Sequence, residues 1–133
     1  MKRIVLGLCF LLAATLSAST NDKIVVTTLL KTTATAAGQS IVFPASYAEV
    51  TAMIVDLPAA ADTGWHVHPF PRYAYVMDGS ITVESDRGAR QTYRAGDFVV
   101  EQTGIFHHGT TTVPTRLLVI GQAEAGKGNQ INR

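Results

Sequence analysis

The 133-residue sequence holds one cysteine, Cys9, and that cysteine sits inside an apolar run at the start of the chain. With that run set aside, the chain offers neither a disulfide nor a thiolate nucleophile, so its stability must come from packing. No apolar run reaches the about 20 residues that span a bilayer. Apart from Lys2 and Arg3, lysine and arginine are scattered singly, and over the whole chain they are nearly balanced by acids, 11 against 10. Phosphate and anionic surfaces are bound by clustered positive charge, so neither nucleic acid nor a lipid surface is an expected partner. No internal repeat, low-complexity tract or helical hydrophobic period is visible beyond the N-terminal run. Histidine is scarce: His66, His68, His107 and His108 are all there is.

What is present begins with a leader. Lys2 and Arg3 precede the apolar stretch Ile4 to Leu12, and small residues follow from Ala13 to Ser19. Charged, apolar, then small is the order of a secretory signal peptide. The segment 1–19 is therefore expected to be cleaved, after Ala18 or Ser19, rather than kept as a membrane anchor, and the protein to be periplasmic or secreted. Cys9 follows Leu8, where a lipoprotein cysteine wants a small residue, and leaves with the leader. The rest, 20–133, is long enough for a single domain with its own core. Within it a core of about 39–122 follows an N-terminal arm, 20–38.

Past the leader the pattern is strand upon strand. Lys23 to Lys31 is rich in β-branched residues and suits a strand. Glu49 to Leu57 is apolar on both parities, which predicts cover on both faces, and Pro58 stops it. Further strands are predicted at Trp65–His68, Arg72–Met77, Ser80–Glu84, Ala89–Arg94, Phe98–Glu101, Phe106–Thr112 and Arg116–Gly121. Ile81 and Val83 share one face of their strand. Turns at Gly79, Gly88, Gly96 and Gly104 punctuate the series at intervals typical of sandwiches and barrels. The tail from Ala123 is polar and predicted to fray. Trp65, Phe70, Tyr75, Phe98 and Phe106 read as core or as the lining of a ligand site.

His66 and His68 stand at i and i+2, the same face of a strand. Two imidazoles on one face can reach a single ion, although His-x-His alone fits a plain surface pair equally well. His107 lies far along the chain in another strand, which antiparallel folding can bring alongside. Its neighbour His108 must point the other way, to solvent or behind a ligand.

These residues fall in a pattern that resembles the cupin superfamily, the small single-domain bacterial type. The family's first motif runs glycine, His-x-His, a glutamate a few residues on, then glycine. Here it reads Gly64-Trp65-His66-Val67-His68-Pro69, then Arg72, then Tyr75-Val76-Met77-Asp78-Gly79. The second runs Gly-Asp, a short apolar strand, Pro-x-Gly, then histidine. Here it reads Gly96-Asp97-Phe98-Val99-Val100, Gln102-Thr103-Gly104, His107. The resemblance covers roughly Val50 to Ile120 and implies an all-β fold, a double-stranded β-helix or jelly-roll-like barrel. It implies that His66, His68 and His107 bind one divalent transition metal, zinc, nickel, copper, manganese or iron. It also implies a homodimer, in which the strand at Lys23–Lys31 could be exchanged.

The chain departs from the motif in places. Arg72 stands where the family has its glutamate, and a guanidinium cannot ligate a cation. Thr111 replaces the closing asparagine and Gln102 the first proline. Arg72 is either a surface cation or an inward clamp for an anionic substrate, while Tyr73 should face away from it. Glu101, just before His107, is the candidate catalytic carboxylate, as a base or as a partner orienting a ligand imidazole, unless it is a surface residue. Cupins support many activities, so function is not settled by fold. The leading expectation is a metal-dependent, oxygenase-like enzyme on a small organic substrate. The alternatives are a non-catalytic metal- or ligand-binding module and a cupin whose histidines bind nothing.

Overall fold

The computed structural model describes residues 23–133, so the expected leader lies outside the described residues. Among the described residues there are nine strands: β1 (Ala48–Leu57), β2 (His66–Val67), β3 (Arg72–Asp78), β4 (Ser80–Ser85), β5 (Arg90–Arg94), β6 (Phe98–Val100), β7 (His107–Thr110), β8 (Thr115–Glu124) and β9 (Ile131–Asn132). They make two antiparallel sheets, ordered β1-β8-β3-β6 and β5-β4-β7-β2-β9. Among the described residues no helix is long and apolar enough to cross a membrane.

Alternation decides what lies between the sheets. Along β3, Ala74 and Val76 are buried while Met77 and Asp78 are exposed. Along β8, Leu117 and Val119 turn inward and Arg116 turns out. Ile81 of β4 meets them from the other sheet, and Val55, Leu57, Val83, Tyr93 and Val99 pack around this cluster. Ile81 and Val83 thus share a face, as their spacing requires. Fully burying each Val, Leu or Ile contributes about 1.5–3 kcal/mol, which is how the fold manages without a disulfide.

Two glycines answer to close approach. Gly79, at the β3–β4 turn, has φ 76°. A Cβ there would also run into the Pro114 carbonyl and Thr115. Gly109 on β7 lies against the neighbouring strand β4 of its own sheet, where an added Cβ would stand 2.6 Å from Ile81 Cδ1.

Four expectations are corrected. Lys23 to Lys31 forms no strand; Ile24, Val25 and Val26 lie exposed in the N-terminal arm. Composition suits a strand, but a strand needs a partner to pair with, and this chain presents none to that segment. β1 is not covered on both faces: it pairs only with β8, at the edge of its sheet, and Val50, Met53 and Ile54 are exposed. The last long strand runs on to Glu124, and the tail does not fray, because β9 docks on β2 through His66↔Asn132 and Val67↔Ile131. The five aromatics are half-buried, and none of them lines the cavity described below.

Candidate metal centre

β2 and β7 pair antiparallel with His66 directly opposite His107. Directly opposed residues hold their Cβ atoms about 4.5–5.5 Å apart, close enough for both rings to reach one point. His68, two residues on, leaves the strand on the same side. The ring centroids stand 4.9 Å (His66–His68), 4.6 Å (His66–His107) and 5.0 Å (His68–His107) apart. One donor atom from each ring lies within 4.8 Å of the other two. All three side chains are buried, His68 completely.

Each ring is oriented by a main-chain carbonyl. Nδ1 of His66 lies 2.7 Å from Gly64 O, Nδ1 of His68 2.6 Å from Asn129 O, and Nδ1 of His107 3.0 Å from Ile105 O. A carbonyl only accepts, so each Nδ1 carries the hydrogen and, in the neutral ring, Nε2 presents its lone pair. This is the arrangement that metal-binding imidazoles use. Nε2 of His68 and of His107 are buried and have no hydrogen-bond partner.

Glu101 faces them. Its Oε2 lies 3.1 Å from His68 Nε2 and 3.4 Å from His107 Nε2, at angles that make no hydrogen bond. Acceptors thus confront acceptors, and something positive must sit among them, a proton on an imidazole or a cation. The spacing suits a cation. Two ligands held at about 2.0–2.1 Å, at tetrahedral or right angles, stand roughly 3–3.4 Å apart. The donor set therefore fits a divalent ion.

The carboxylate comes from the strand beside the one that lacks it. Glu101 follows β6, which pairs with β3, and its N–H donates to Arg72 O at 2.8 Å. Arg72 lies inward, its Nε 3.3 Å from Glu101 Oε1 and its NH1 donating to Gln130 Oε1 at 3.1 Å. Burial alone pushes the Glu101 carboxyl up. A hydrogen donated by His107 or His68 whenever its Nε2 carries one, together with the Arg72 guanidinium, outweighs it and holds that carboxyl well below the usual carboxylate range. Burial, reinforced by the neighbouring imidazoles, brings His66 down to about 4 against the opposing pull of Gly64 and Glu101, so its ring is neutral at neutral pH.

His108 is turned to the opposite face, as alternation demands. Its ring stacks on Trp65 at 4.3 Å and its Nδ1 lies 3.0 Å from Asp62 Oδ1. Thr111 is not at the centre; its hydroxyl donates to Pro58 O. Tyr73 points away from the Arg72 face and its hydroxyl donates to Gln122 Oε1.

His66, His107, Glu101 and Arg72 form part of the wall of a cavity of about 200 Å³ between the sheets. The remaining wall is mostly aliphatic, with Thr63, Tyr93, Gln102 and Gln130 as further polar side chains. Sequence reasoning missed Tyr93, Asn129 and Gln130. Tyr93 had a signal, since it alternates with Arg94 opposite Ile81 in the β4–β5 pairing. Asn129 had none, because the group it offers to His68 is a backbone carbonyl.

Comparison with known proteins agrees with this architecture. The family described as "Cupin domain" matches residues 53–121. No curated protein matches the sequence. Among solved structures, a protein from Neisseria meningitidis is similar at 23% identity and TM-score 0.51, over 56% of this chain and 74% of that one. The DMSP lyase DddQ from Ruegeria pomeroyi is similar at 20% identity and TM-score 0.55, over 62% of this chain but only 42% of the lyase. An RmlC-like protein from Shewanella frigidimarina is similar at 20% identity and TM-score 0.52, over 59% of this chain and 69% of that one. At these identities the likeness is one of fold.

Proposed function

The chain belongs to the cupin family, and from that premise we propose that it is an exported, metal-dependent enzyme of the oxygenase-like kind, acting on a small organic molecule. The observation that carries the metal is the set of opposed acceptors: the unpartnered Nε2 atoms of His68 and His107 facing Glu101 Oε2 in a buried setting. Buried polar groups without partners are rare in folded proteins and call for an occupant. His66, His68 and His107 would hold the ion, with Glu101 as the carboxylate of the set. A divalent ion bound there supplies a Lewis-acidic centre with positions left for a substrate.

The chain's own residues divide the remaining work. Arg72 holds Glu101 Oε1, leaving Oε2 toward the histidines. A carboxylate held so far below its usual range is a poor base and a good ligand, which favours ligation over proton abstraction. Arg72 is also the cationic side chain in the cavity wall, so a substrate anion would share it with Glu101. The aliphatic wall excludes water and suits an apolar substrate body. The second reading, a non-catalytic module that captures a metal or small ligand, is favoured by the lack of an acid–base pair in that wall, where Tyr93 is the one titratable side chain apart from the centre and Arg72.

The leader 1–19 would direct the domain 20–133 to the periplasm or outside the cell, and the two sheets would be the halves of a double-stranded β-helix. A homodimer would cover the exposed faces of β1 and the arm. The test is to purify the protein, measure bound metals, and repeat with His66→Ala and His107→Ala. One ion per chain, lost in both variants, supports the centre; equal metal in all three removes it. Turnover screening of the loaded protein against small aromatic and aliphatic acids, with His66→Ala as control, separates enzyme from binding module.

A further inference from the structure

We propose that Asn129 is a positioning residue for the metal centre, and that docking of residues 129–133 and occupancy of the centre are coupled. The inference rests on the reading that the three imidazoles hold an ion. His66 and His107 take their orienting carbonyls from residues two positions away, Gly64 and Ile105. His68 takes its own from Asn129, 61 residues along the chain. The orientation of the most buried ligand therefore depends on whether a distant segment is seated.

That segment is seated by the Asn129 side chain. Oδ1 accepts from Phe70 N–H at 3.0 Å, and Nδ2 donates to Pro71 O at 3.1 Å and to Gln122 O at 3.3 Å. Both faces of the amide are used, and they tie the tail to β8 and to the loop that follows His68. Gly121 on β8 leaves room for it: an added Cβ there would stand 3.3 Å from Asn129 Nδ2. Downstream, β9 pairs with the strand that carries His66, and Gln130 both receives Arg72 NH1 and lines the cavity. Arg133 N–H donates to Trp65 O at 2.9 Å, and its guanidinium lies 4.4 Å from the Phe106 ring and 3.3 Å from Asp86.

Coupling is reciprocal. If the docked tail favours metal by orienting His68, bound metal favours the docked tail to the same degree. Loss of a partner that orients a ligand imidazole typically costs 10–100-fold in metal affinity.

The experiment is cobalt(II) titration of the purified protein, followed by its visible spectrum, for wild type, Asn129→Ala, a variant ending at Gly128, Asp86→Ala and His66→Ala. Hydrogen exchange over residues 126–133 is measured with and without cobalt, and circular dichroism of the metal-free forms checks folding. The expected result is a roughly 10–100-fold weaker cobalt affinity in Asn129→Ala. Asp86→Ala, which loosens only the Arg133 end, should stay within about twofold, and cobalt should slow exchange of the tail in wild type but not in Asn129→Ala. Should the shortened variant fail to fold, Asn129→Ala decides. Wild-type affinity in Asn129→Ala, or tail exchange indifferent to cobalt, overturns the inference while leaving the three-histidine centre intact. A wild-type protein that takes up no cobalt overturns both.

Discussion

Arg72 and Glu101 are cross-strand partners twice over: the Glu101 N–H donates to the Arg72 carbonyl at 2.8 Å, and Arg72 Nε stands 3.3 Å from Glu101 Oε1. Their side chains work as one unit, with the guanidinium on one carboxylate oxygen and the histidines on the other. Glu101→Gln should weaken metal binding by about 10–100-fold, because the amide keeps the shape and loses the charge. Arg72→Gln should weaken it less, since removing a nearby positive charge partly offsets the freed carboxylate. A double-mutant cycle on metal affinity should return a coupling of about 0.5–3 kcal/mol. Strict additivity would show that the two side chains act separately.

Acid should loosen the metal-free protein. The His66 ring sits at about 4 in the folded chain against 6.5 when free, so between those values the unfolded chain takes up a proton that the folded one refuses. Its contribution is whole above 6.5 and falls away as the pH drops toward 4. Glu101, depressed from 4.5, adds a loss of the same sign below that value. Thermal unfolding of the chelator-treated protein should therefore come at lower temperature at pH 5 than at pH 7. Bound metal should leave over the same descent, because protons compete for the same lone pairs. A melting temperature that rises on acidification would contradict the buried, neutral imidazole.

The two neighbouring histidines should separate cleanly. His107→Ala should abolish metal uptake. His108→Ala should leave it within about twofold, because that ring stacks on Trp65 and faces Asp62 on the other side of the strand. Metal analysis of the two variants side by side checks this, and equal losses would show that both rings of β7 reach the ion.

The exposed face of β1 should be the dimer contact. Ile54 is 48% exposed in the middle of an edge strand ten residues long. A long apolar edge invites pairing with another chain, and lysine discourages it. Light scattering should give twice the chain mass for the wild type and half that value for Ile54→Lys. A wild-type mass equal to one chain would remove the proposed dimer.

How much of this was legible depends on whether the information is local. Strand parity is local, so the common face of His66 and His68, the opposite pointing of His107 and His108, and the inward pair Ile81 and Val83 could all be read directly. Turns marked by glycine were local too. Cover is not local: Glu49 to Leu57 and Lys23 to Lys31 have the composition of paired strands, but pairing depends on what lies beside them, and one is an edge while the other is unpaired. The inward turn of Glu101 required knowing that its strand lies against β3. The docked tail depended on one asparagine and its carbonyl within a glycine-rich stretch whose composition points to fraying.

Gly109 has a consequence for how the chain assembles. Two consecutive imidazoles make β7 ambiguous, because sliding it by one place would swap one metal-seeking ring for another and keep the chelate. The glycine removes that ambiguity: its bare α-carbon is what Ile81 leaves room for, so a displaced strand would push a threonine or a second imidazole into that isoleucine. The strand thus carries its own key, two residues from the ligand it aligns.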